Sequence, residues 1–470
     1  IFFRFRRASV AMRVAVYSHS FPPSIDGVCR RMSSLVYELL VGGHEVLILT
    51  LESELSGLDL HGLPMPKYVT LESGFPASYP MKRIANPSIT NSYRIASALR
   101  EFNPEVLHCT VDALTLLFAA IGLALGIPVA GSIHTDVDKI LRSLRAAEWA
   151  IKVGWALEAA DSRLLDACAT TSNSYKEELE HRWCKIDHVV LTAVNTDVFN
   201  PNCVDAEERR AIRSRLTFGH PDAFLVLYVG RLSLEKSIEV LFDMLLVPGM
   251  ENVYLAIAGD GPIAKDLAAM HSEANRVYCR PGFLSHADLA KLYAASDAHV
   301  SASVFETLGN TVLEAQAAGA PVIVPYAQGF KDTVKHESDG FLFEAGSPHS
   351  LSQYVAKLQA NPTLHNEMGE AGRQKVQGER TAEAVACDYV QWYDRTIKRR
   401  ADRMTTPLKL VGLLMIAWPL VFGFMITLRV YDWLVDCQQK AMGIIDALSD
   451  DREPKDAGVP RNPKSPVKAA

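Results

Sequence analysis

Apolar runs of strand length recur along the chain, each followed by a polar or glycine-containing loop and then by helical spacing. Arg13–Val16 opens the first strand, a Ser/His/Pro/Gly loop covers Ser18–Gly27, and a helical pattern runs over Met32–Leu40 until Gly42-Gly43 stops it. Glu45–Thr50 is the next strand. The order returns with a strand at Val106–His108, a helix at Ala113–Leu125, a strand at Pro128–Ile133, one long helix, and Ala167–Ser172. Nearly unbroken apolar strands alternating with helices predict a parallel sheet covered on both faces.

A linker carrying Asn195, Asn200, Pro201 and Asn202 interrupts this pattern, which then restarts. Strands are expected at Phe224–Gly230, Val253–Ala258, Val277-Tyr278, Ala298–Val300 and Pro321–Pro325. Helices are expected between them at Ser237–Leu246, Ala264–Ser272, Ala287–Ala295 and Thr311–Ala318. The fold class is therefore α/β, with two facing Rossmann-like domains, residues 12–203 and 204–381. Residues 382–404 are read as a helix crossing back to the N-terminal domain. Ligands of such sheets bind beyond the carboxyl ends of the strands, so the loops there and the cleft between domains hold the expected chemistry.

The C-terminal region departs from the pattern. Leu410–Leu428 is 19 residues without a charge, about 28 Å as a helix, which matches a bilayer core. Residues 405–430 are read as a transmembrane or membrane-inserted helix, with a buried C-terminal helix or an interfacial hairpin as the alternatives. Arg395, Lys398, Arg399, Arg400, Arg403 and Lys409 precede it, against Arg429 and Lys440 after it. That asymmetry places the two domains on the cytosol-like side of a single-pass protein. Residues 431–470 form a polar tail, read as disordered after Ser449. Residues 1–11, with the basic stretch Arg4–Arg7, are read as the remainder of an N-terminal or targeting segment.

Composition adds little. The 470 residues are 49% hydrophobic and 22% charged, with net charge −6, which disfavours nucleic acid as the partner. Eight cysteines without a C-x-x-C pair read as reduced thiols, not a disulfide framework.

Four segments carry candidate chemistry. Arg231 and Lys236 flank one strand-to-helix loop, a placement that suits a diphosphate and equally describes two solvated cations. Gly259-Asp260-Gly261-Pro262 is a tight turn, which either approaches a ligand or simply turns. Glu306 and Glu314 lie eight apart around Leu308-Gly309-Asn310, whose amides at a helix start can face a sugar or phosphate. Glu314, about one turn inside, either accepts two hydroxyls of a ribose or is an exposed glutamate favoured by the helix dipole, and among such apolar neighbours a buried glutamate needs a partner. His134 stands at a strand end, where it either enters the cleft or packs structurally, and Asp136-Val137-Asp138 has the form of a D-x-D metal motif that is also common by chance.

Taken in order, these segments resemble retaining glycosyltransferase family 4, of the GT-B fold. The resemblance spans residue 12 to about residue 400. It adds Phe21-Pro22-Pro23 with Asp26-Gly27, Asn195–Phe199, and Ala318–Val322. It implies an N-terminal acceptor domain and a C-terminal nucleotide-sugar domain. It implies donor-binding roles for Gly27, Arg231, Lys236, Gly309, Asn310, Thr311 and Glu314, and catalytic roles for His134 and Glu306. No metal and no cofactor are expected, with cations and amides neutralising the leaving diphosphate.

Within the family, Glu235–Leu241 and Glu306–Gly309 look most like UDP-sulfoquinovose:diacylglycerol sulfoquinovosyltransferases. Asp26–Arg30 looks more like related bacterial lipid mannosyltransferases. Asn195 stands where an aspartate is usual, and Ala193 where a glycine is usual. The favoured expectation is transfer from a UDP-linked donor, UDP-sulfoquinovose, to a lipid, diacylglycerol, at a membrane. A plastid envelope would be the location of such an enzyme. A lipid mannosyl- or glucosyltransferase, a phosphatidylinositol N-acetylglucosaminyltransferase, and an inactive sugar-binding scaffold are the alternatives. Arg30, Lys139, Arg142 and Lys331 are candidate cations for a sulfonate.

Overall fold

The computed structural model describes residues 11–403, apart from Ile25, His61, residues 75–82, residues 144–146 and Phe305. The first half holds strands β1 (Arg13–Ser18), β2 (Glu45–Thr50), β3 (Lys67–Thr70), β4 (Ser73–Gly74), β5 (Ile84–Ala85), β6 (Val106–Thr110), β7 (Val129–Ser132), β8 (Ala167–Thr170) and β9 (His188–Val189). Its helices are α1 (Gly27–Val41), α2 (Ile89–Phe102), α3 (Thr115–Leu125), α4 (Val137–Ser143), α5 (Glu148–Leu164) and α6 (Asn173–His181). The sheet order is β3-β2-β1-β6-β7-β8-β9, parallel throughout, and β4 pairs with β5 apart from it.

After α7 (Ala206–Leu216), the second half holds β10 (Phe224–Val229), β11 (Val253–Ala258), β12 (Val277–Cys279), β13 (Ala298–Val300), β14 (Val322–Pro325) and β15 (Phe341–Phe343). Its helices are α8 (Glu239–Leu245), α9 (Ala264–Ala269), α10 (His286–Ala295), α11 (Asn310–Ala317), α12 (Phe330–Thr333), α13 (Pro348–Ala360) and α14 (Pro362–Glu379). The sheet order is β12-β11-β10-β13-β14-β15, again parallel. Each sheet carries apolar clusters on both faces.

Both sheets reverse their winding once, between β1 and β6 and between β10 and β13. Loops from the two strands at such a switch diverge to opposite faces and leave a crevice. In the second sheet those loops are residues 230–238 and 301–309, so the topology itself brings the Lys236 and Glu306 segments to one place. The last described helix, α15 (Ala382–Arg403), returns to the first domain. Tyr389, Trp392 and Tyr393 share a core with Val14, Val16, Met32 and Val36, while Asp388 meets His188 at 2.9 Å and Arg400 meets Asp166 at 3.1 Å.

Several elements differ from the sequence pattern. The helix expected from Met32 begins at Gly27, because Asp26 caps it, accepting from the Val28 and Cys29 amides at 2.9 and 2.8 Å. The single long helix after Ile133 is instead α4 and α5. The helix expected over Ser237–Leu246 is preceded by a separate 3-10 turn, Leu234–Lys236, because Ser237 takes φ +50° and breaks the ladder. Short edge strands such as β3, β9 and β15, and the polar helices α6 and α7, offered too few apolar positions to be read.

The expected membrane helix at 405–430 lies outside the described residues, as does Cys437. Among the described residues no helix is long and apolar enough to cross a membrane, and the seven described cysteines are free.

Candidate active site

The loop after β10 leaves the sheet beneath Gly230. The Tyr228 hydroxyl donates to the Arg231 carbonyl at 3.0 Å. The Leu232 amide donates to the Asp260 carbonyl at 2.9 Å. Gly259 adopts φ +143°, and a Cβ there would stand 1.9 Å from the Gly230 carbonyl oxygen; one on Gly261 would stand 2.2 Å from that of Leu232. The Gly259–Pro262 turn therefore serves close approach of two backbone loops, and through it the site of Arg231 and Lys236 is positioned.

Arg231 is exposed at the loop tip. Lys236, half-buried in its 3-10 turn, donates from Nζ to Glu306 Oε2 at 2.7 Å. Glu306 is held by its own backbone, its carbonyl accepting from the Gly329 amide at 2.9 Å. A Cβ on Gly329 would lie 2.3 Å from the Thr307 carbonyl oxygen, so α12 presses directly on the Glu306 segment.

Gly309 ends this loop with φ +86° and starts α11 without a side-chain cap. A Cβ there would meet the Phe330 ring at 2.6 Å. Asn310 and Thr311 occupy the first turn of α11, where amides lack intrahelical acceptors. Asn310 Oδ1 is buried without a hydrogen-bond partner, and its Nδ2 lies 3.1 Å from where a Gly27 Cβ would be. Gly27 thus faces Asn310 across the cleft, and any larger residue would crowd it.

Glu314, 3% exposed, stands one turn into α11. Its Oε2 accepts from the Tyr293 hydroxyl at 3.2 Å. Its Oε1 pairs with Arg30 of the N-terminal domain. Arg30 also contacts His286 Nε2 at 2.8 Å, and burial lowers its guanidinium pKa. Further inter-domain bonds join the Ser174 amide to Asp332 at 2.7 Å and Gln328 to Glu178 at 2.8 Å.

His134 follows β7 at the carboxyl edge of the first sheet. Both its ring nitrogens are engaged inside that domain, Nδ1 with Arg31 Nη1 at 3.0 Å and Nε2 with Ser132 Oγ at 2.7 Å. Burial and the neighbouring Arg31 cation push its pKa well down. In the D-x-D segment, Asp136 accepts from Arg182 at 3.0 Å and Asp138 pairs with Arg142 at 3.0 Å.

Two family models match: "Glycosyltransferase Family 4" over residues 25–198 and "Glycosyl transferases group 1" over residues 212–375. The chain belongs to the family 4 glycosyltransferases. It is 28% identical to the sulfoquinovosyl transferase of Arabidopsis thaliana, over 78% of this chain and 70% of that one. It is also 28% identical to a GDP-mannose-dependent alpha-mannosyltransferase of Corynebacterium glutamicum, over 81% and 88%. Identity to the alpha-monoglucosyldiacylglycerol synthase of Streptococcus pneumoniae is 25%, over 74% and 83%. The fold matches sucrose-phosphate synthase from Thermosynechococcus elongatus with a TM-score of 0.63 and 22% identity, covering 82% of this chain and 98% of that one. The protein is thus a GT-B glycosyltransferase that moves sugar from a nucleotide sugar.

At Asn195, where the resemblance leads one to expect an aspartate, the side-chain oxygen accepts from the Asp197 and Val198 amides, at 3.1 and 3.2 Å. Only an acceptor oxygen is required there, and Asn supplies one. Sequence reasoning overlooked Arg31, His108, Ser132 and Tyr293. Most of their partners lie 21 or more positions away in the chain, and only Ser132, two residues from His134, and the arginine beside the glycine loop offered a local signal.

Proposed function

We propose that this glycosyltransferase moves a sugar, with retention of anomeric configuration and without a metal, from a UDP-linked donor to a membrane lipid. UDP-sulfoquinovose and diacylglycerol are the favoured pair. The observation that carries the reading is the Lys236–Glu306 ion pair at the switch point of the second sheet, beside the uncapped start of α11. One cation and one carboxylate stand there where a diphosphate and a sugar would each find a partner.

In this reading Lys236 and Arg231 hold the diphosphate, with the Gly309–Thr311 backbone and the Gly27 loop around it. Glu314 accepts two ribose hydroxyls, and Glu306 faces the transferred sugar. The bond from the anomeric carbon to the phosphate oxygen breaks, and the acceptor oxygen bonds to that carbon on the same face. The acceptor's proton passes to the departing phosphate, whose charge the two cations stabilise. His134 lines the sugar side as a neutral ring.

The lipid acceptor is supported by the names of the relatives and by the uncharged run 410–428, which would tether the domains to a bilayer with the catalytic half on the cytosol-like side. Among the sulfonate cations, Arg30 is already paired with Glu314, Arg142 with Asp138 and Glu148, and Lys331 Nζ stands 5.7 Å from the Tyr326 ring centroid. GDP-mannose is the second reading, because the mannosyltransferase match is as close and longer. An inactive scaffold would have no use for a paired Lys236 and Glu306 beside a buried Glu314.

A donor competition on membranes holding the full chain tests the specificity. UDP-sulfoquinovose is expected to exceed UDP-glucose, UDP-N-acetylglucosamine and GDP-mannose at least tenfold in kcat/KM, about 1.4 kcal/mol. A better rate with any of the other three would replace the donor and leave the transferase intact.

A further inference from the structure

A continuous line of buried polar groups runs from α1 through the N-terminal sheet to α15. Arg31 donates to His134 Nδ1 at 3.0 Å and, from its other terminal nitrogen, to the Thr192 hydroxyl. His134 Nε2 meets Ser132 Oγ at 2.7 Å, Ser132 Oγ meets His108 Nε2 at 2.8 Å, and His108 Nδ1 meets the Tyr393 hydroxyl at 2.7 Å. Ser132, His108 and Tyr393 are fully buried, and Arg31 is nearly so.

Hydrogen-bond chemistry allows one proton arrangement at His134. A guanidinium only donates, so His134 Nδ1 must carry the lone pair and Nε2 the proton. The Nε2 proton goes to Ser132 Oγ. Ser132 Oγ also meets His108 Nε2, and the steps from Ser132 through His108 to Tyr393 can run in either direction, because hydroxyls both donate and accept. Arg31 sets the direction at His134.

We propose that Arg31 is a positioning residue of the transferase: it locks His134 as a neutral ring protonated on Nε2, unable to act as acid or base. A protonated His134 would aim an N–H at the Arg31 N–H groups, so the arrangement excludes it. What His134 then offers the cleft is a ring edge of fixed orientation, and the line to Tyr393 ties that orientation to the docking of α15. The groups facing His134 are Arg31 on α1, His108 on β6 and His19 after β1; Tyr389 of α15 faces Arg31. None of them is an acid that would favour a charged ring. The proposal rests on reading this cleft as the transfer site, but its first test needs no donor, so the two can fail separately.

That test is nitrogen-15 NMR of the full chain labelled at histidine, with His134 assigned by the signals lost in His134→Asn. The expected result is one pyridine-like and one pyrrole-like nitrogen, with the proton on Nε2, unchanged from about pH 5.5 to 8. A proton on Nδ1, or titration in that range, overturns the proposal. The second test is kinetic. Arg31→Met should lower kcat/KM at least tenfold at pH 8 and add a further acidic loss near the ordinary histidine pKa of about 6.5. Arg31→Lys, which keeps a donor cation, should recover part of the rate and the flat profile. An Arg31→Met profile parallel to that of the unaltered enzyme shows that Arg31 acts only on the fold. Should Arg31→Met not fold, the NMR result decides alone.

Discussion

Lys236 Nζ lies 2.7 Å from Glu306 Oε2, although seventy positions separate the two residues. They meet because β10 and β13 are parallel neighbours and their loops leave the sheet at its switch point. Each charge satisfies the other. A diphosphate would compete for the lysine and a sugar for the glutamate, so the pair keeps both ions ready without an unpaired charge. Lys236→Ala and Arg231→Ala should each lower turnover at least tenfold, since a charge-assisted bond is worth about 1.5–3 kcal/mol. Steady-state rates with circular dichroism as the folding control check this; near-normal turnover removes that residue from the site.

Glu314 joins the Tyr293 hydroxyl to the Arg30 guanidinium across the cleft. If Glu314 accepts the ribose hydroxyls as proposed, its removal should weaken nucleotide binding tenfold or more. Calorimetric titration of Glu314→Ala with UDP measures it. Unchanged affinity would mean that Glu314 only ties the two domains together.

The transfer should persist in excess chelator, and Asp138→Asn should be mild, since Asp138 already pairs with Arg142. Loss of turnover restored by magnesium or manganese would return the D-x-D segment to the mechanism.

Gly259→Ala should destabilise the C-terminal domain by at least about 2 kcal/mol, because φ +143° disfavours a side chain and the new Cβ collides with the Gly230 carbonyl. The effect is on the backbone of the Arg231 loop, so activity should fall along with the urea midpoint. An unchanged midpoint contradicts the close packing of these two turns.

Glu158 on α5 is buried, with Oε2 unpartnered and its pKa raised to about 8 by desolvation and by Asp136. Its folded pKa exceeds its unfolded one, so its contribution is whole below about pH 4.5 and is lost as pH rises towards 8. Glu158→Gln should therefore gain on the unaltered protein as pH rises from 5 to 8, by more than about 1 kcal/mol in urea unfolding. A difference independent of pH would show that Glu158 ionises normally in the fold.

Much was legible before any coordinates. Fully apolar β10 and β11 could only be inner strands of a parallel sheet, and the glycines at 230, 259, 261 and 309 marked the loops where chemistry could sit. Residue type and local spacing carry that information, because burial period and backbone freedom are properties of short segments. Tertiary structure alone decided which charges are partners. Nothing near Lys236 announces Glu306, nothing near Glu314 announces Arg30 or Tyr293, and His134 reads the same whether its nitrogens face a substrate or Arg31 and Ser132. Those choices depend on strand order and on the return of α15, which bring side chains together over separations of 70, 284 and 285 residues. Long-range pairing leaves no periodic trace in the chain, so the proton arrangement at His134 belongs to the fold and not to the motif that contains it.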